Sequence, residues 1–187
     1  MPPKAKYTKE QIVDAAYELV RRNGEGYLSA RSLAAELGTS TAPIFTAFSS
    51  IEELQYAVTE KAKALYAEYL RSGLSQTPAF KWAGLKYIQF AKDEPELFKM
   101  LFMKNSEGTP PSHYFPGGDE NEPVVRGMLE STYGFGTEHA KRIFNHMSVY
   151  VHGLAVLYAQ GYCVFTDEDV SRMLSEMFNA LVKGEKI

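Results

Sequence analysis

The sequence has one cysteine, no long uninterrupted apolar run and no large excess of either charge. Because Cys163 is the only thiol, no disulfide can form within the chain, and we expect a reducing compartment. The most apolar stretch, residues 149–165, is interrupted by a histidine, a glutamine and two glycines, so it does not resemble a membrane span. No apolar run follows the first residues, as a signal peptide would require. We therefore expect a soluble, cytoplasmic protein with no membrane partner.

Catalytic and metal-binding patterns are also missing from the sequence. It contains no P-loop, nucleophile elbow or dinucleotide-binding fingerprint, so we expect neither an enzyme nor a cofactor. His139, His146 and His152 fall on one predicted helix at spacings of seven and six, whereas a zinc pair on a helix needs a spacing of four. We expect no metal site. The apolar neighbours of Cys163 favour a buried, inert thiol over a nucleophile.

The total charge is close to neutral, but the first residues are basic. With 20 basic and 23 acidic side chains, the net charge is −3, which does not favour a polyanion binder on charge alone. Lys4, Lys6 and Lys9 all precede the first acidic residue. A short basic arm of this kind can reach a phosphate backbone, although a solvated, frayed terminus would have the same composition.

Helix-capping signals recur along the chain and predict an all-α fold. Thr8 and Gln11 have the spacing of a capping box, and Ile12, Ala16 and Leu19 then share one helical face. Further helices are predicted from Ser29 to Gly38, from Ser40 or Thr41, from a Ser50–Glu53 capping box, from Thr77–Pro78, from Pro95, and over about 124–132, 137–160 and 167–183. Residues 104–123 are rich in proline, glycine and acidic side chains, which predicts a long loop.

The segment TSTAPIFTAFSS, residues 39–50, predicts a short helix behind a tight turn. Pro43 suits the first turn of a helix. Ile44 and Phe48 are four residues apart, so they share an apolar face, which Phe45 flanks. The side chains left outside are small or carry hydroxyls: Thr41, Ala42, Pro43, Thr46 and Ala47. A helix, a glycine turn and a second short helix form the helix-turn-helix plan, in which the second helix enters the major groove of DNA. A short core helix with solvated threonines is the alternative.

Residues 29–54, SARSLAAELGTSTAPIFTAFSSIEEL, resemble the signature of the tetracycline-repressor (TetR) family of bacterial transcriptional regulators. The resemblance implies an N-terminal helix-turn-helix domain, residues 1–50, and a C-terminal helical domain for ligand binding and dimerisation, residues 51–187. It also implies a homodimer paired through the last two helices, a double-stranded DNA operator, and a repressor released by a small molecule. A helical small-molecule-binding protein or enzyme with a vestigial DNA-binding motif is the alternative function.

Twelve side chains are expected to contact DNA, from the motif and the resemblance together. They are Lys4, Lys6, Ser29, Arg31, Ser40, Thr41, Ala42, Pro43, Phe45, Thr46, Ala47 and Ser49. Two positions depart from the family pattern: Phe45 stands where a tyrosine usually offers its hydroxyl to a phosphate, and Ile51 stands where a lysine usually does. Because these departures remove one neutral and one charge-assisted phosphate contact, we expect modest affinity or heavier reliance on the basic arm.

Aromatic residues are concentrated in the second part of the chain, where 19 of the 24 lie beyond residue 50. The resemblance implies a cavity lined by Tyr87, Phe90, Phe98, Phe102, Tyr150, His152 and Tyr158. An aromatic lining suits an apolar or aromatic ligand, although each of these side chains could instead belong to the core.

The last two predicted helices are both amphipathic and therefore need a partner surface. Their apolar residues are Ile143, Phe144, Met147, Val151, Leu154 and Tyr158 on the first helix, and Val170, Leu174, Met177, Phe178 and Leu181 on the second. The sequence leaves open whether these residues form a dimer interface or an internal core.

Overall fold

The protein is all-α over the residues that the computed structural model describes, which are 7–103, 122–163 and 165–183. In these ranges there is no strand, and a 3₁₀ turn at Glu25–Tyr27 follows the first helix. The nine helices within them are α1 (Lys9–Asn23), α2 (Ala30–Glu36), α3 (Ala42–Ala47), α4 (Ile51–Leu74), α5 (Ala79–Asp93), α6 (Pro95–Phe102), α7 (Glu122–Tyr133), α8 (Thr137–Ala159) and α9 (Asp167–Lys183). The all-α prediction is confirmed. Most of the expected loop at 104–123 lies outside the described residues, and α7 begins two residues earlier than expected.

The described residues form two compact units. Unit 1 comprises residues 7–65 and Glu96–Met103, and unit 2 comprises Tyr66–Pro95 with 122–163 and 165–183. The division lies within α4, so this helix contributes residues to both units. The predicted domain boundary after residue 50 stays a prediction, because compactness alone does not show which segments fold independently.

Unit 1 begins with the capping box that the sequence predicts. The Thr8 hydroxyl accepts the Gln11 backbone N–H at 3.2 Å, and the Gln11 side-chain oxygen accepts the Thr8 N–H at 2.9 Å. Since two of the backbone N–H groups that lack a partner within the helix are thereby satisfied, α1 starts at a defined residue. α1 packs against α2 and buries Ile12.

Unit 2 is organised around α5, which packs against α7, α8 and α9. Tyr87 and Phe90 of α5 are buried in it. The start of α5 differs from the prediction, because Pro78 is the N-cap and the helix begins at Ala79. Proline has a fixed φ that fits the N-cap as well as the first helical turn, so the sequence pattern did not distinguish these two positions.

The apolar faces of α8 and α9 are mostly internal. Among the apolar residues of these two helices, six are buried within the single chain: Ile143, Met147, Val151, Leu154, Val170 and Leu174. The core alternative therefore applies to them. None of the described helices is long and apolar enough to cross a membrane.

Candidate nucleic-acid interface

The start of α2 is fixed by a pair of serines. The Ser29 hydroxyl accepts the Ser32 N–H at 3.1 Å, and the Ser32 hydroxyl oxygen accepts the Ser29 N–H at 3.0 Å. The predicted N-cap at Ser29 is confirmed, and Ser32 completes a capping box that the sequence analysis did not identify. The remaining free N–H groups of this first turn are available to a phosphate oxygen. Arg31 is exposed in the same turn and has no ion-pair partner among the described residues.

A tight turn connects α2 to α3. Gly38 has a φ of +60°, a left-handed conformation that glycine adopts without a steric penalty. The Thr39 N–H donates to the Ala34 carbonyl at 2.9 Å, which closes the end of α2 in the manner of a glycine C-cap. The Tyr7 hydroxyl donates to the Leu37 carbonyl, so that the segment before α1 is joined to this turn. The hydrogen bonds made by Thr39 and Tyr7 therefore stabilise the turn between α2 and α3.

The short helix α3 buries one face and exposes the other. Ile44 and Phe48 are buried, as expected, and Pro43 lies in the first turn. We call the other side chains, which are all partly or fully exposed, the outward face of α3: Thr41, Ala42, Pro43, Phe45, Thr46 and Ala47. Phe45 is 51% exposed, so it adds a large apolar group to that face and is not part of the buried pair. Thr41 is the N-cap, although its side chain makes no capping hydrogen bond.

The outward face of α3 carries no charge. No acidic or basic residue occurs between Glu36 and Glu52, a stretch that spans the turn, all of α3 and the start of α4. The Thr46 hydroxyl donates to the Ala42 carbonyl one turn earlier at 2.9 Å. Contacts made by this face must therefore rest on shape, apolar groups and a few hydroxyl oxygens.

A small ionic cluster lies at the start of α4. The Glu53 carboxylate accepts from the Ser49 N–H at 2.8 Å, the Ser49 hydroxyl at 2.7 Å and the Lys9 ammonium at 2.8 Å. The hydrogen bond from Lys9, followed by those from Ser49, lowers the pKa of Glu53 from 4.5 to about 2. The predicted Ser50–Glu53 capping box is only half formed, because the Ser50 hydroxyl accepts the Glu53 N–H at 3.3 Å while the carboxylate turns to Ser49.

This cluster engages two side chains that were candidates for phosphate contacts, Lys9 and Ser49. Lys9 is the first residue of α1 and is paired with Glu53. The Ser49 hydroxyl donates its hydrogen to the same carboxylate, so a phosphate approaching it would also meet a negative charge. Lys4 and Lys6 lie outside the described residues. The sequence showed that Lys9 is basic, but it carried no signal for a partner 44 residues away.

The residues expected to line a ligand cavity fall into separate groups. Tyr87 is 3% exposed, and its hydroxyl oxygen lies 2.9 Å from Nδ1 of His152. Burial raises the pKa of Tyr87, and it lowers the pKa of His152, so the neutral imidazole is favoured. Tyr66 of α4, which sequence reasoning missed, packs against Tyr87 and Phe90 at centroid distances of 5.9 and 5.4 Å.

The other expected lining residues do not join this group. Phe98 and Phe102 belong to unit 1, where their ring centroids lie 5.2 Å apart. Tyr150 is partly exposed on α8. Tyr158 donates its hydroxyl to the Phe165 carbonyl at 2.7 Å, and desolvation raises its pKa to about 12. The aromatic group around Tyr87 and His152 is therefore the part of the expected lining that the structure brings together.

Comparison with known proteins yields solved structures with the same fold. A TetR-like transcriptional regulator from Rhodococcus sp. RHA1 superimposes with a TM-score of 0.70 at 16% identity, covering 95% of this chain and 97% of the other. A candidate transcriptional regulator of the TetR family from Vibrio parahaemolyticus superimposes with a TM-score of 0.59 at 18% identity, covering 92% of this chain and 97% of the other. No protein-family model and no curated protein matches the sequence. The chain thus has the fold of TetR-like regulators, as the sequence resemblance implied.

Proposed function

We propose that the protein is a DNA-binding transcriptional regulator whose α3 enters the major groove. The observation that carries this proposal is the two-sided character of α3, in which Ile44 and Phe48 are buried while small side chains face outward. A groove-binding helix needs such a face, because base edges are contacted only at close range. The fold shared with transcriptional regulators supports the same conclusion. The protein would act in the cytoplasm, where bacterial DNA lies.

Phosphate contacts would come from the elements on either side of α3. Ser29 and Arg31 stand in the first turn of α2, where exposed N–H groups and a cation favour an anion. Ser40 is exposed ahead of α3. Lys4 and Lys6 of the basic arm would supply phosphate contacts in place of those that Phe45 and Ile51 cannot make. Such contacts set the orientation of the protein on the duplex without specifying a sequence.

We also propose that a small molecule binds in unit 2 and releases the protein from an operator, so that it acts as a repressor. The hydrogen-bonded pair of Tyr87 and His152, with the rings of Tyr66 and Phe90 beside it, would suit a largely apolar or aromatic ligand with one polar group. Because α4 has residues in both units, it offers a covalent route for the signal. The ligand can act only through different affinities for the two states of the protein.

Homodimerisation would use the outward faces of α8 and α9. On α8, Val149 is 57% exposed and Leu157 is 40% exposed. They lie four residues before and four residues after Gly153. A Cβ added to Gly153 would meet no described atom within 4 Å, so packing within the described chain does not require this glycine. Glycine in a helix interior costs about 1 kcal/mol relative to alanine. Close approach of a partner helix would account for all three residues.

The test begins with selection of binding sequences from random double-stranded DNA by the full chain. An enriched sequence should then bind in a fluorescence-anisotropy titration. Thr46→Glu should weaken this binding by at least about tenfold, since it places a carboxylate on the outward face of α3 against phosphates and base edges. The control is Ala64→Glu, which adds the same charge at an exposed position of α4. Failure to enrich any sequence, or equal binding by both variants, would contradict the proposal.

A second candidate is a helical small-molecule-binding protein or enzyme in which the DNA-binding motif is vestigial. The specific observation in its favour is the absence of the tyrosine and lysine at Phe45 and Ile51. It predicts ligand binding in unit 2 with no enrichment of any DNA sequence. The selection experiment therefore separates the two functions.

A further inference from the structure

We propose that the outward face of α3 recognises thymine through its 5-methyl group, by apolar contact and not by hydrogen bonding. The residues concerned are Ala42, Phe45 and Thr46. This inference rests on the proposed function and specifies the chemistry by which the same helix would select its operator.

Thr46 carries the first part of the argument. Its hydroxyl donates to the Ala42 carbonyl at 2.9 Å, a common arrangement for threonine within a helix. The hydrogen is therefore not available to a base edge in this rotamer. Thr46 lies on the exposed side of α3, so its methyl group is the apolar group that it can offer to a base.

The other positions within α3, Ala42–Ala47, supply no alternative side-chain donors. Ala42 and Ala47 have no polar side-chain atoms, and Pro43 has no backbone N–H. The stretch between Glu36 and Glu52 contains no arginine, lysine, asparagine or glutamine. These four residue types make the bidentate contacts that distinguish guanine and adenine in the major groove. Side chains of α3 thus lack the means for the commonest polar contacts with purines.

Phe45 supplies the largest apolar area on this face. Its ring is 51% exposed, although burial of an aromatic ring is strongly favourable. The thymine methyl is the one apolar group that a base edge presents in the major groove. A face that combines an exposed ring with small methyl-bearing side chains therefore matches thymine better than any other base.

The experiment uses the selected operator with each thymine replaced in turn by deoxyuridine. This change removes the methyl and keeps every hydrogen-bonding group of the base pair. At a contacted thymine we expect affinity to fall about three- to fourfold. The slope of log K against log salt should not change, because no phosphate contact is lost.

Two substitutions at Thr46 distinguish methyl recognition from hydroxyl recognition. Thr46→Val keeps the branched methyl shape and removes the hydroxyl, so it should retain the preference for thymine over deoxyuridine. Thr46→Ser keeps the hydroxyl and removes the methyl, so the preference at that thymine should disappear. Phe45→Ala should reduce the preference at a neighbouring thymine. The far-UV circular dichroism spectrum and the urea midpoint of all three variants serve as the control for folding.

Several outcomes would overturn the inference, and they are distinct from failure of the proposed function. If an operator is enriched but deoxyuridine binds as well as thymine at every position, methyl recognition is wrong while DNA binding stands. If Thr46→Val loses the preference and Thr46→Ser keeps it, the hydroxyl is the recognising group. If no sequence is enriched at all, the proposed function fails and the inference fails with it.

Discussion

The hydroxyl oxygen of Tyr87 on α5 lies 2.9 Å from Nδ1 of His152 on α8. This hydrogen bond joins two helices that pack directly against each other in unit 2. Tyr87 is buried and His152 is half-buried. Because this partial burial disfavours the charged imidazolium, the pKa of His152 is lowered from 6.5 and the neutral imidazole is favoured. The hydrogen bond between Tyr87 and His152 is therefore sensitive to protonation of the imidazole.

The stability of the protein should therefore decrease on acidification through His152. In the unfolded chain the imidazole titrates near pH 6.5, whereas the folded state resists protonation. The contribution of neutral His152 to the free energy of unfolding is fully present above about pH 6.5. It is lost as the pH falls towards the lowered pKa of His152 in the folded state. Urea denaturation near pH 7.5 and near pH 5.5 measures it. His152→Gln should show a smaller decrease than the unmodified protein, and His146→Gln, exposed on the same helix, should not. Equal decreases in all three would contradict this account.

Gly73→Ala should destabilise unit 2. A Cβ at this position would lie 2.7 Å from the Trp82 carbonyl oxygen and 3.0 Å from its carbonyl carbon, distances that require the backbone of α5 to shift. Overpacking of this kind costs about 1–3 kcal/mol, which a lower midpoint in urea would report. The control is Gly127→Ala on α7, where no described atom lies within 4 Å. That change should be neutral or stabilise the helix by up to about 1 kcal/mol. Two equal midpoints would show that α5 accommodates the methyl.

Val149→Asp and Leu157→Asp should dissociate the proposed dimer. Each places a carboxylate where the outward face of α8 would be covered by a second subunit, and an unpaired buried charge is strongly unfavourable. Sedimentation velocity at micromolar concentration should show monomers for both variants. Ala67→Asp, which adds the same charge at an exposed site on α4, should remain dimeric. Persistence of the dimer in both variants would place the interface on another surface.

Ile51→Lys should strengthen DNA binding and increase its dependence on salt. Ile51 is the first residue of α4, and the family resemblance places a phosphate-contacting lysine there. One added phosphate contact should steepen the slope of log K against log salt by about one. Ile51→Gln, similar in length but uncharged, should leave the slope unchanged. If lysine and glutamine give the same slope, the first turn of α4 does not face the DNA backbone.

Local signals predicted much of unit 1 correctly. The Thr8–Gln11 capping box, the N-cap at Ser29 and the burial of Ile44 and Phe48 all depend on residues within four positions of each other. Interactions over that distance are fixed by helix geometry and little else. For this reason, the sequence indicated the helix-turn-helix plan before any tertiary contact was known.

Contacts between distant segments could not be predicted in the same way. Glu53 turns to Ser49 and Lys9 instead of completing its own capping box, because a lysine from α1 is within reach. The family resemblance implied that Phe98 and Phe102 line a cavity together with Tyr87, but it could not show that they belong to unit 1. Periodicity specifies which side of a helix is buried, and the neighbour against which it packs is decided by the tertiary fold.

The uncharged stretch from residue 37 to residue 51 has a consequence for behaviour in cells of varying ionic composition. If α3 determines the sequence preference while charged residues elsewhere contact the DNA phosphates, added salt would weaken binding to every site by a similar factor. The order of preference among those sites would persist. Osmotic shifts in ion content would then alter how much DNA is occupied while leaving the hierarchy of target genes intact.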